Sequence, residues 1–356
     1  MKKQNVCILF GGISPEHEVS RRSAESVLNH IHKEKYNLFP VGITRQGEWM
    51  LFGGEDYSVL PTGQWESHPD NKKALISPVR GQGLLIFQED GVQTQPLDVV
   101  FPVLHGENGE DGAMQGLLQM AGIPCVGPNV AASAVAMDKT LTKLVADNAG
   151  IPQASWVLVR REQLSSRLER TLEELEDTFS YPMFVKPAGT GSSVGVSKAA
   201  DREALRQALV AAGKYDSKIL VEEFICGREI EVAVMGNDSP VASICGEIDS
   251  GVEFYDYDAK YVTNTSVAYV PARIPAEVQE QVREAAVKVY TAIGCQGLSR
   301  VDFFVTYQDN RVVFNEINTL PGFTSISMYP KLFDASGIPY SDLIDQLLAL
   351  AVEAGK

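Results

Sequence analysis

Short apolar runs alternate with amphipathic stretches along the first third of the chain. Apolar runs bounded by turn residues indicate buried strands, and apolar residues spaced by three and four indicate helices. Such alternation predicts an α/β unit, a parallel sheet with helices on its faces. Residues 37–97 fit the pattern poorly, and we interpret them as a variable insertion. The predicted elements are strands over 6–10, 38–43 and 97–104 and helices over 20–32 and 114–121.

The pattern changes beyond residue 127. A predicted helix over 131–149 ends at Gly150-Ile151-Pro152, a stop signal that marks a boundary region. Mixed strands and helices then predict a small α+β unit, followed by a larger unit with several strands. We therefore predict three domains, over 1–127, 128–220 and 221–356. The later elements are strands over 156–159, 182–185 and 219–223 and helices over 161–178, 202–212, 276–293 and 340–354.

Two apolar runs in the last quarter of the chain carry acids at matching positions. Asp302 lies among Val and Phe residues, and Glu316 lies in a second such run fourteen residues later. The polar stretch between them is typical of a turn that joins antiparallel strands. If the hairpin folds at Asp309, Asp302 lies opposite Glu316. The same register places Arg300 opposite Asn318, so all four side chains share one face at one end.

This hairpin end is a candidate metal site. Two carboxylates that face each other in apolar surroundings repel, and unpaired buried charge costs several kcal/mol. A hard divalent cation prefers oxygen ligands and would neutralise them. The alternative is a solvated acidic hairpin end in which Arg300 is a salt-bridge partner. A turn of even length would place the two acids on opposite faces and remove the site.

Composition excludes some classes of function. The 356 residues are 44% hydrophobic and 22% charged, with a net charge of −15. Proteins that bind nucleic acid or anionic membranes need a basic surface, so we expect neither partner. The five cysteines are widely spaced without a CxxC pair, which favours reduced thiols in the cytoplasm. No apolar run approaches the roughly 18 residues of a membrane span, and the first run is too short for a secretory signal.

A loop rich in glycine and serine follows a lysine at the end of a predicted strand. Lys186-Pro187 leads into AGTGSSVG, which contains Ser192 and Ser193. Glycines let backbone N–H groups turn toward an anion, and the hydroxyls add donors. The loop is not a P-loop, because its lysine comes before the glycines. A plain hairpin turn is the alternative, but the adjacent lysine and the downstream metal site favour ATP phosphates.

Three further segments are candidate ligand contacts. GGISPEHE follows the first predicted strand without a GxGxxG motif, so a dinucleotide-dehydrogenase site loses its main support. Alternatively, its polar residues simply begin a helix. HGENGEDG, which begins at His105, follows a buried run, at a strand end where open α/β sheets bind ligands; a structural histidine is the alternative. FYDYDAKY, over 254–261, either closes over a ligand or packs on its own domain.

Eight segments in chain order resemble one family. The resemblance is to D-alanine–D-alanine ligases of the ATP-grasp superfamily, and it covers nearly the whole chain, with its weakest part over 45–95. It implies a three-domain ATP-grasp architecture with a Rossmann-like N-terminal domain and an α+β C-terminal part. ATP is expected between the central and C-terminal domains. The segments are GGISPEHEVS, LHGENGEDG, MDKTLTK, VKPAGTGSSVGVSK, GREIEVAV, FYDYDAKY, SRVDFF and FNEINTLPGFTSISMYPKL.

The resemblance implies which residues bind ATP and metal. Lys139 and Lys186 resemble the nucleotide lysines of the family, and Glu222 resembles the adenine-side contact. Glu229 resembles the ribose ligand, and Lys260 the lysine that reaches the phosphates. Ser192 and Ser193 match the phosphate loop, and Asp302, Glu316 and Asn318 match the ligands of two Mg²⁺ or Mn²⁺ ions, with Glu316 bridging.

A second set resembles the substrate and catalytic residues. Glu16 resembles the residue that binds the amino group of the first D-alanine, and His105 lies near that substrate. Arg300 and the backbone N–H of Gly322 resemble oxyanion donors. Ser327 matches the side chain that meets the carboxylate of the second substrate. A hydrogen-bonded trio that closes the site is matched by Glu16, Ser192 and Tyr261.

The implied reaction is the ATP-dependent joining of two D-alanine molecules for peptidoglycan synthesis. Tyr261 keeps the aromatic hydroxyl of dipeptide-forming relatives, which argues against D-lactate as second substrate. Met328 is apolar where relatives that use D-serine tend to carry a polar or basic residue, which favours D-alanine. The alternatives are a D-Ala–D-Ser or other carboxylate–amine ligase and a non-catalytic nucleotide-binding module. A homodimer is expected, and a monovalent-cation requirement is left open.

Overall fold

The computed structural model describes residues 3–191, 194–249 and 267–355. Their strands form three sheets, of seven, four and five strands. The mixed α/β class expected from the sequence pattern is confirmed. Four predicted site residues and one predicted segment lie outside the described residues: Ser192, Ser193, Lys260, Tyr261 and 254–261.

The N-terminal sheet has a parallel centre that antiparallel strands extend. Strands β2 and β7 run parallel to β1 on either side of it. Strands β3 to β6 follow β2 as an antiparallel series, so the order is β6-β5-β4-β3-β2-β1-β7. The strands are β1 Gln4–Gly11, β2 Tyr36–Ile43, β3 Trp49–Leu51, β4 Lys72–Ile76, β5 Leu84–Gln88, β6 Gly91–Gln95 and β7 Val99–Pro102.

The predicted parallel sheet is therefore confirmed for β1, β2 and β7, and β3 to β6, which lie in the segment interpreted as an insertion, extend it by antiparallel pairing. Strands β5 and β6 pair up to Gln88 and Gly91, so only two residues join them. Parallel neighbours need a crossover of about a dozen residues or more, and a connection this short permits only antiparallel pairing. The helices of this part are His17–His30, which begins earlier than predicted, Val59–Thr62 and Ala113–Ala121.

The central sheet is antiparallel, and two helices predicted as continuous are each broken. In 131–149 the break is Asp138, whose carboxylate accepts from two backbone N–H groups of the next turn and so begins a second helix. In 161–178 the break is Arg167, where the preceding serine hydroxyls bond back to the Glu162 carbonyl and compete with the helix. The helices are Val130–Met137, Lys139–Asn148, Arg161–Ser166, Leu168–Thr178 and Arg202–Tyr215. The strands, in sheet order, are β10 Ser197–Ala199, β9 Met183–Pro187, β11 Lys218–Glu223 and β8 Trp156–Arg160.

The C-terminal sheet is also antiparallel and holds the predicted hairpin. Helices Ala276–Ile293 and Tyr340–Ala354 match their predictions. Helix Met328–Ala335 was missed, because it is short and contains Pro330 in its first turn, where proline is tolerated. Strand β11 spans residue 220, so the predicted domain limit there falls inside a strand. The strands, in sheet order, are β14 Val267–Tyr269, β13 Val241–Asp249, β12 Gly227–Gly236, β15 Gly297–Thr306 and β16 Val312–Asn318.

One hydrophobic core joins the two ends of the chain. Alternate residues of β1 point to opposite faces of a sheet that is buried on both. On one face, residues of β1, β7 and helix His17–His30 pack against helices Met328–Ala335 and Tyr340–Ala354. The rings of Phe101 and Phe323 meet edge to face, with 5.4 Å between centroids. This packing holds the loop after β16 against the N-terminal sheet.

The same two ends are joined by polar contacts. Asp345, in the last helix, accepts hydrogen bonds from Lys35 and Tyr36 and lies 2.8 Å from the His32 ring. These contacts fix the last helix against the start of β2. Across the described ranges, no helix is long and apolar enough to cross a membrane. All five cysteines are free thiols, in agreement with the expectation from their spacing.

Candidate active site

The predicted hairpin is formed by β15 and β16, and its acids pair as expected. Asp302 lies opposite Glu316, and Arg300 lies opposite Asn318. The register shifts by one residue next to this pair, because Asn315 is an extra residue in β16. The turn alone would therefore have placed Asp302 opposite Asn315. The pairing is confirmed, but the bulge sets it and not the turn at Asp309.

A third acid, which the sequence analysis missed, lies beside the hairpin. Glu231 in β12 is the cross-strand neighbour of Asp302. Glu231, Asp302 and Glu316 thus lie at matching positions of three adjacent strands, on one face of the sheet. The signal was the period of two in Gly227–Gly236, which places Glu231 on the same face as Glu229.

Arg300 lies among these acids. Its guanidinium donates two hydrogen bonds to the oxygens of Asp302, over 2.8 and 2.7 Å, and its Nε lies 3.2 Å from Glu231 Oε2. The amide of Asn318 also donates to Asp302, over 2.9 Å. Burial lowers the pKa of Arg300, but the three carboxylates outweigh it and raise that pKa well above its ordinary value. The arginine is therefore charged at any working pH.

The hairpin end offers the donor set of a hard divalent cation. The carboxylates of Asp302 and Glu316 and the side-chain amide of Asn318 supply oxygens at one edge of the cavity. Their chemistry fits the predicted metal site. Among the described residues, three ligand-type side chains already lie close enough to share one ion, but they are His32, Asp342 and Asp345. The carboxylate of Asp345 accepts hydrogen bonds from Lys35 and Tyr36. That group is a polar contact between chain ends.

A second charged cluster lies where the nucleotide residues were predicted. Glu222 is 3% exposed and binds the Nζ atoms of Lys143, over 2.5 Å, and Lys186, over 2.6 Å. Burial raises the pKa of Glu222, but the two lysines outweigh it and bring that pKa to about 2. Lys186 also donates to the side chain of Asn315, the bulge residue. Lys186 thus links the two charged clusters, and the nearby Glu316 favours its charged form.

Lys143 is a second residue that sequence reasoning missed. It lies four residues after Lys139 in helix Lys139–Asn148, on the same face. Its side chain is 2% exposed, and an ammonium is that deeply buried only with a partner. The signal was the second lysine of MDKTLTK.

The Gly/Ser loop is held at its near end by the first of these lysines. The backbone N–H of Lys139 donates to the Ala188 carbonyl, and its Nζ donates to the Thr190 carbonyl over 2.6 Å. A Cβ at Gly191 would lie 3.4 Å from Glu16 Oε2. The loop therefore approaches both a predicted nucleotide residue and a predicted substrate residue.

The N-terminal part brings three polar side chains to the same space. Glu16 lies immediately before helix His17–His30, and His105 follows β7. Glu110, which the sequence analysis did not select, accepts from the backbone N–H groups of Gly106 and Leu320. Burial and the nearby Glu16 raise the pKa of Glu110 to about 8. Glu110 is the sixth residue of HGENGEDG, so the sequence shows its carboxylate but does not show that it is buried.

Gly322 and Ser327 lie on opposite sides of one tight turn. A Cβ at Gly322 would lie 2.8 Å from Ser327 Oγ, so a side chain there would displace the serine. Ser327 is the N-cap residue of helix Met328–Ala335. A helix N-terminus favours a carboxylate, as predicted for this position. Met328 is 7% exposed and packs against Gly246 in the sheet.

One cavity of about 1400 Å³ collects the described site residues. It lies between the central and C-terminal sheets and opens toward the loops of the N-terminal part. The nucleotide lysines, the hairpin end and the substrate residues all border it. The predicted site residues that line it are Glu16, His105, Lys139, Lys186, Glu222, Glu229, Arg300, Asp302, Glu316, Asn318, Gly322, Ser327 and Met328.

Comparison with known proteins points in one direction. The model of the D-ala D-ala ligase N-terminus matches residues 5–128, and that of the D-ala D-ala ligase C-terminus matches residues 145–349. A D-alanine–D-alanine ligase of Acetivibrio thermocellus is 49% identical over 363 residues, which cover 99% of this chain and 96% of the relative. A D-alanine–D-alanine ligase of Caldicellulosiruptor bescii is 48% identical, and the match covers 100% of this chain and 97% of the relative.

Solved structures agree in fold. The VanG D-Ala:D-Ser ligase from Enterococcus faecalis has a TM-score of 0.90 at 38% identity, covering 98% of this chain and 100% of that chain. The D-alanine–D-alanine ligase from Coxiella burnetii has a TM-score of 0.84 at 34% identity, covering 99% of this chain and 96% of that chain. The two neighbours act on different second substrates, so the fold alone does not choose between D-alanine and D-serine.

Proposed function

The chain belongs to the D-alanine–D-alanine ligase family, and we propose that its large cavity joins two D-alanine molecules in a reaction driven by ATP. The products are D-alanyl-D-alanine, ADP and phosphate, and the dipeptide serves peptidoglycan synthesis. The observation that carries the proposal is the convergence of two charged clusters and the N-terminal residues in one cavity. A nucleotide sensor would not need an arginine and three acids beside its phosphate site.

The phosphates of ATP lie, in this proposal, toward Lys139 and Lys186. Both lysines border the cavity, and Lys139 also holds the near end of the Gly/Ser loop. Glu222 is charged at neutral pH and faces the adenine, and Glu229 faces the ribose. Ser192, Ser193 and Lys260 complete the phosphate contacts on sequence grounds. Together these groups neutralise the triphosphate and align it with the hairpin end.

We propose that Asp302, Glu316 and Asn318 would hold the divalent metal that the family uses, as two Mg²⁺ or Mn²⁺ ions. When bound, the metal withdraws negative charge from the transferring phosphoryl group. In this structure Arg300 donates two hydrogen bonds to the carboxylate of Asp302. Glu231 offers Arg300 a second carboxylate, so the guanidinium keeps a partner when Asp302 turns to other ligands.

The first D-alanine lies near Glu16 and His105, with its carboxylate toward the hairpin. A carboxylate oxygen attacks the γ-phosphorus, the bond to the bridging oxygen of ADP breaks, and an acylphosphate forms. The amine of the second D-alanine then attacks the acyl carbon. Arg300 and the N–H of Gly322 stabilise the oxyanion, and each such donor is worth roughly 3 to 4 kcal/mol. The carbon–oxygen bond to phosphate then breaks, the new amide nitrogen loses a proton to the departing phosphate or to solvent, and phosphate leaves.

The second D-alanine is oriented by its carboxylate at Ser327 and the adjoining helix N-terminus. Met328 gives this end an apolar, buried wall, which suits a methyl group better than the hydroxyl of D-serine. Glu16, Ser192 and Tyr261 form the proposed closing trio, and closure protects the acylphosphate from water. D-serine is the alternative second substrate, since a D-Ala:D-Ser ligase shares the fold.

A substrate panel tests the proposal. Purified protein with ATP and Mg²⁺ should release phosphate with D-alanine, and mass spectrometry should show the dipeptide. D-alanine with D-serine should give little mixed product. Release with D-serine pairs but not with D-alanine would replace the substrate assignment. Absence of release with every amino acid would leave the non-catalytic nucleotide module as the better description.

Three further assignments are proposals of the same kind. We propose the division into domains over 1–127, 128–220 and 221–356, with the middle limit lying within β11. A homodimer is proposed for the assembly, and sedimentation would test it. The cytoplasm is the proposed location, since ATP and reduced thiols are found there.

A further inference from the structure

The loop over 319–323, hereafter the Gly322 loop, connects β16 to the segment before helix Met328–Ala335. It carries the N–H proposed to stabilise the oxyanion, so this inference rests on the proposed function. Its backbone is held by side chains from the other end of the chain. Leu320 N–H donates to Glu110 over 3.2 Å, and Phe323 N–H donates to the Ser23 hydroxyl over 3.2 Å.

His105 supplies the third of these contacts. Its Nδ1 lies 2.9 Å from the Leu320 carbonyl oxygen, and its Nε2 lies 3.2 Å from the Ser23 hydroxyl. A carbonyl oxygen can only accept, so Nδ1 carries the proton. Burial lowers the pKa of His105, which keeps the ring neutral at pH 7. Nε2 is then an acceptor, and the Ser23 hydroxyl must be its donor.

Ser23 is thus the centre of a chain of hydrogen bonds in which each donor and each acceptor is determined. Its hydroxyl donates to His105, and its oxygen accepts the N–H of Phe323. Ser23 is fully buried in helix His17–His30, and His105 is 5% exposed, so water does not compete for these bonds. Both ring nitrogens of His105 are occupied by protein groups. His105 therefore has no nitrogen free to take a proton from substrate.

The two anchored residues lie on either side of Gly322. Leu320 is fixed by His105 and Glu110, and Phe323 is fixed by Ser23 and by Tyr340, whose hydroxyl donates to its carbonyl. Pro321 restricts the backbone between them. Within the described residues, the Gly322 N–H itself has no hydrogen-bond acceptor, so it is available to a ligand.

We infer that Ser23 is a positioning residue for Gly322: it holds His105 and Phe323 together and thereby fixes the N–H of Gly322 where the oxyanion forms. His105 acts through the same loop. An oxyanion donor is useful only if its position is fixed before the reaction, because reorganisation would consume its stabilisation. The N-terminal part thus contributes to acyl transfer without touching the oxyanion.

Ser23→Ala tests this role, because it removes one donor and one acceptor in a buried site. Ser133→Ala is the matched control: Ser133 is equally buried, and its hydroxyl has no hydrogen-bond partner in the part of the chain that is described. Ser23→Thr restores the hydroxyl. Circular dichroism and thermal unfolding first establish that each variant is folded.

We expect Ser23→Ala to lower kcat by about 10- to 100-fold, with KM for ATP changed less than about twofold. Hydrogen exchange at the amides of 319–323 should accelerate by about tenfold or more, while other loops keep their rates. Ser23→Thr should recover part of both quantities. Ser133→Ala should match the wild type in both.

Two outcomes overturn the inference. Either Ser23→Ala matches Ser133→Ala in kcat and in loop exchange, or it raises KM for ATP with kcat unchanged. Failure of the proposed function is a separate result, since the wild type itself would then release no phosphate with any amino acid. The exchange measurement needs no turnover and decides in that case whether Ser23 holds the loop.

Discussion

The two charged clusters of the cavity differ in their proportion of cations to anions. At the nucleotide end, two lysines, Lys143 and Lys186, share the single carboxylate of Glu222. At the hairpin end, the single cation Arg300 lies among the carboxylates of Glu231, Asp302 and Glu316. An excess of cations attracts phosphate, and an excess of carboxylates attracts metal cations. The proportion of charges, more than residue type, therefore distinguishes the two clusters.

The largest effect should follow from neutralising the hairpin end. Glu316→Gln keeps the shape but removes one of the two carboxylates proposed as metal ligands. We expect phosphate release to fall by at least about 1000-fold, because charge on the transferring group loses its counter-ions. Circular dichroism should be unchanged, and Glu284→Gln on an exposed helix surface is the control. Wild-type rates in Glu316→Gln would reject the metal role.

The nucleotide end should respond in stability as well as in affinity. Lys143→Met leaves Glu222 with one cation in a buried site, and breaking a buried pair costs about 3 to 5 kcal/mol. KM for ATP should rise by about tenfold, since Glu222 loses its fixed position. Chemical denaturation and ATP titration measure the two effects. Lys288→Met, at an exposed helix position, should change neither; equal behaviour of both variants would contradict the contrast between clusters.

Acid should lower the free energy of unfolding through Glu222 in a defined range of pH. The pKa of Glu222 is about 2 in the folded protein, below its ordinary 4.5. A depressed pKa gives stability that is complete above about pH 4.5 and is lost as the pH falls toward 2, here about 3 kcal/mol. Denaturation curves between pH 7 and 3 should show a smaller loss for Glu222→Gln than for wild type. Parallel curves would show that Glu222 does not carry this pH dependence.

The smallest effect should come from the third acid of the hairpin end. Glu231→Gln removes one of the carboxylates near Arg300 but none of the proposed metal ligands. We expect kcat to fall by about tenfold, which is 1.4 kcal/mol at the transition state. The Mn²⁺ affinity, measured by spin resonance, should weaken less than in Glu316→Gln. A loss as large as that of Glu316→Gln would make Glu231 a ligand and not a neighbour of Arg300.

The contrast also shows what the sequence could predict. Asp302 and Glu316 were found because they lie in one hairpin, where a period of two and a turn suffice. Their pairing nevertheless depends on the β-bulge at Asn315, which no local sequence pattern predicts. Lys143 was missed because its partner, Glu222, is brought near by tertiary packing alone. Local periodicity predicts faces, and long-range packing decides which faces meet.

The same limit applies to the fold. Strands β3 to β6 were missed because each is only three to five residues long and their connections are irregular in length. The break at Asp138 was missed although aspartate is a good N-cap, because the apolar spacing continues across it. Helices Ala276–Ile293 and Tyr340–Ala354 were predicted to the residue, since long amphipathic spacing is the strongest local signal.

The core shared by the two ends of the chain also bears on how the protein is made. The apolar face of β1 and of helix His17–His30 is covered by helix Tyr340–Ala354, which is synthesised much later. At typical elongation rates that face waits on the order of tens of seconds for its cover. The fifteen residues of helix Tyr340–Ala354 therefore complete a core whose other side is synthesised first. A nascent chain stopped before this helix would expose to chaperones the apolar face of β1 and of helix His17–His30.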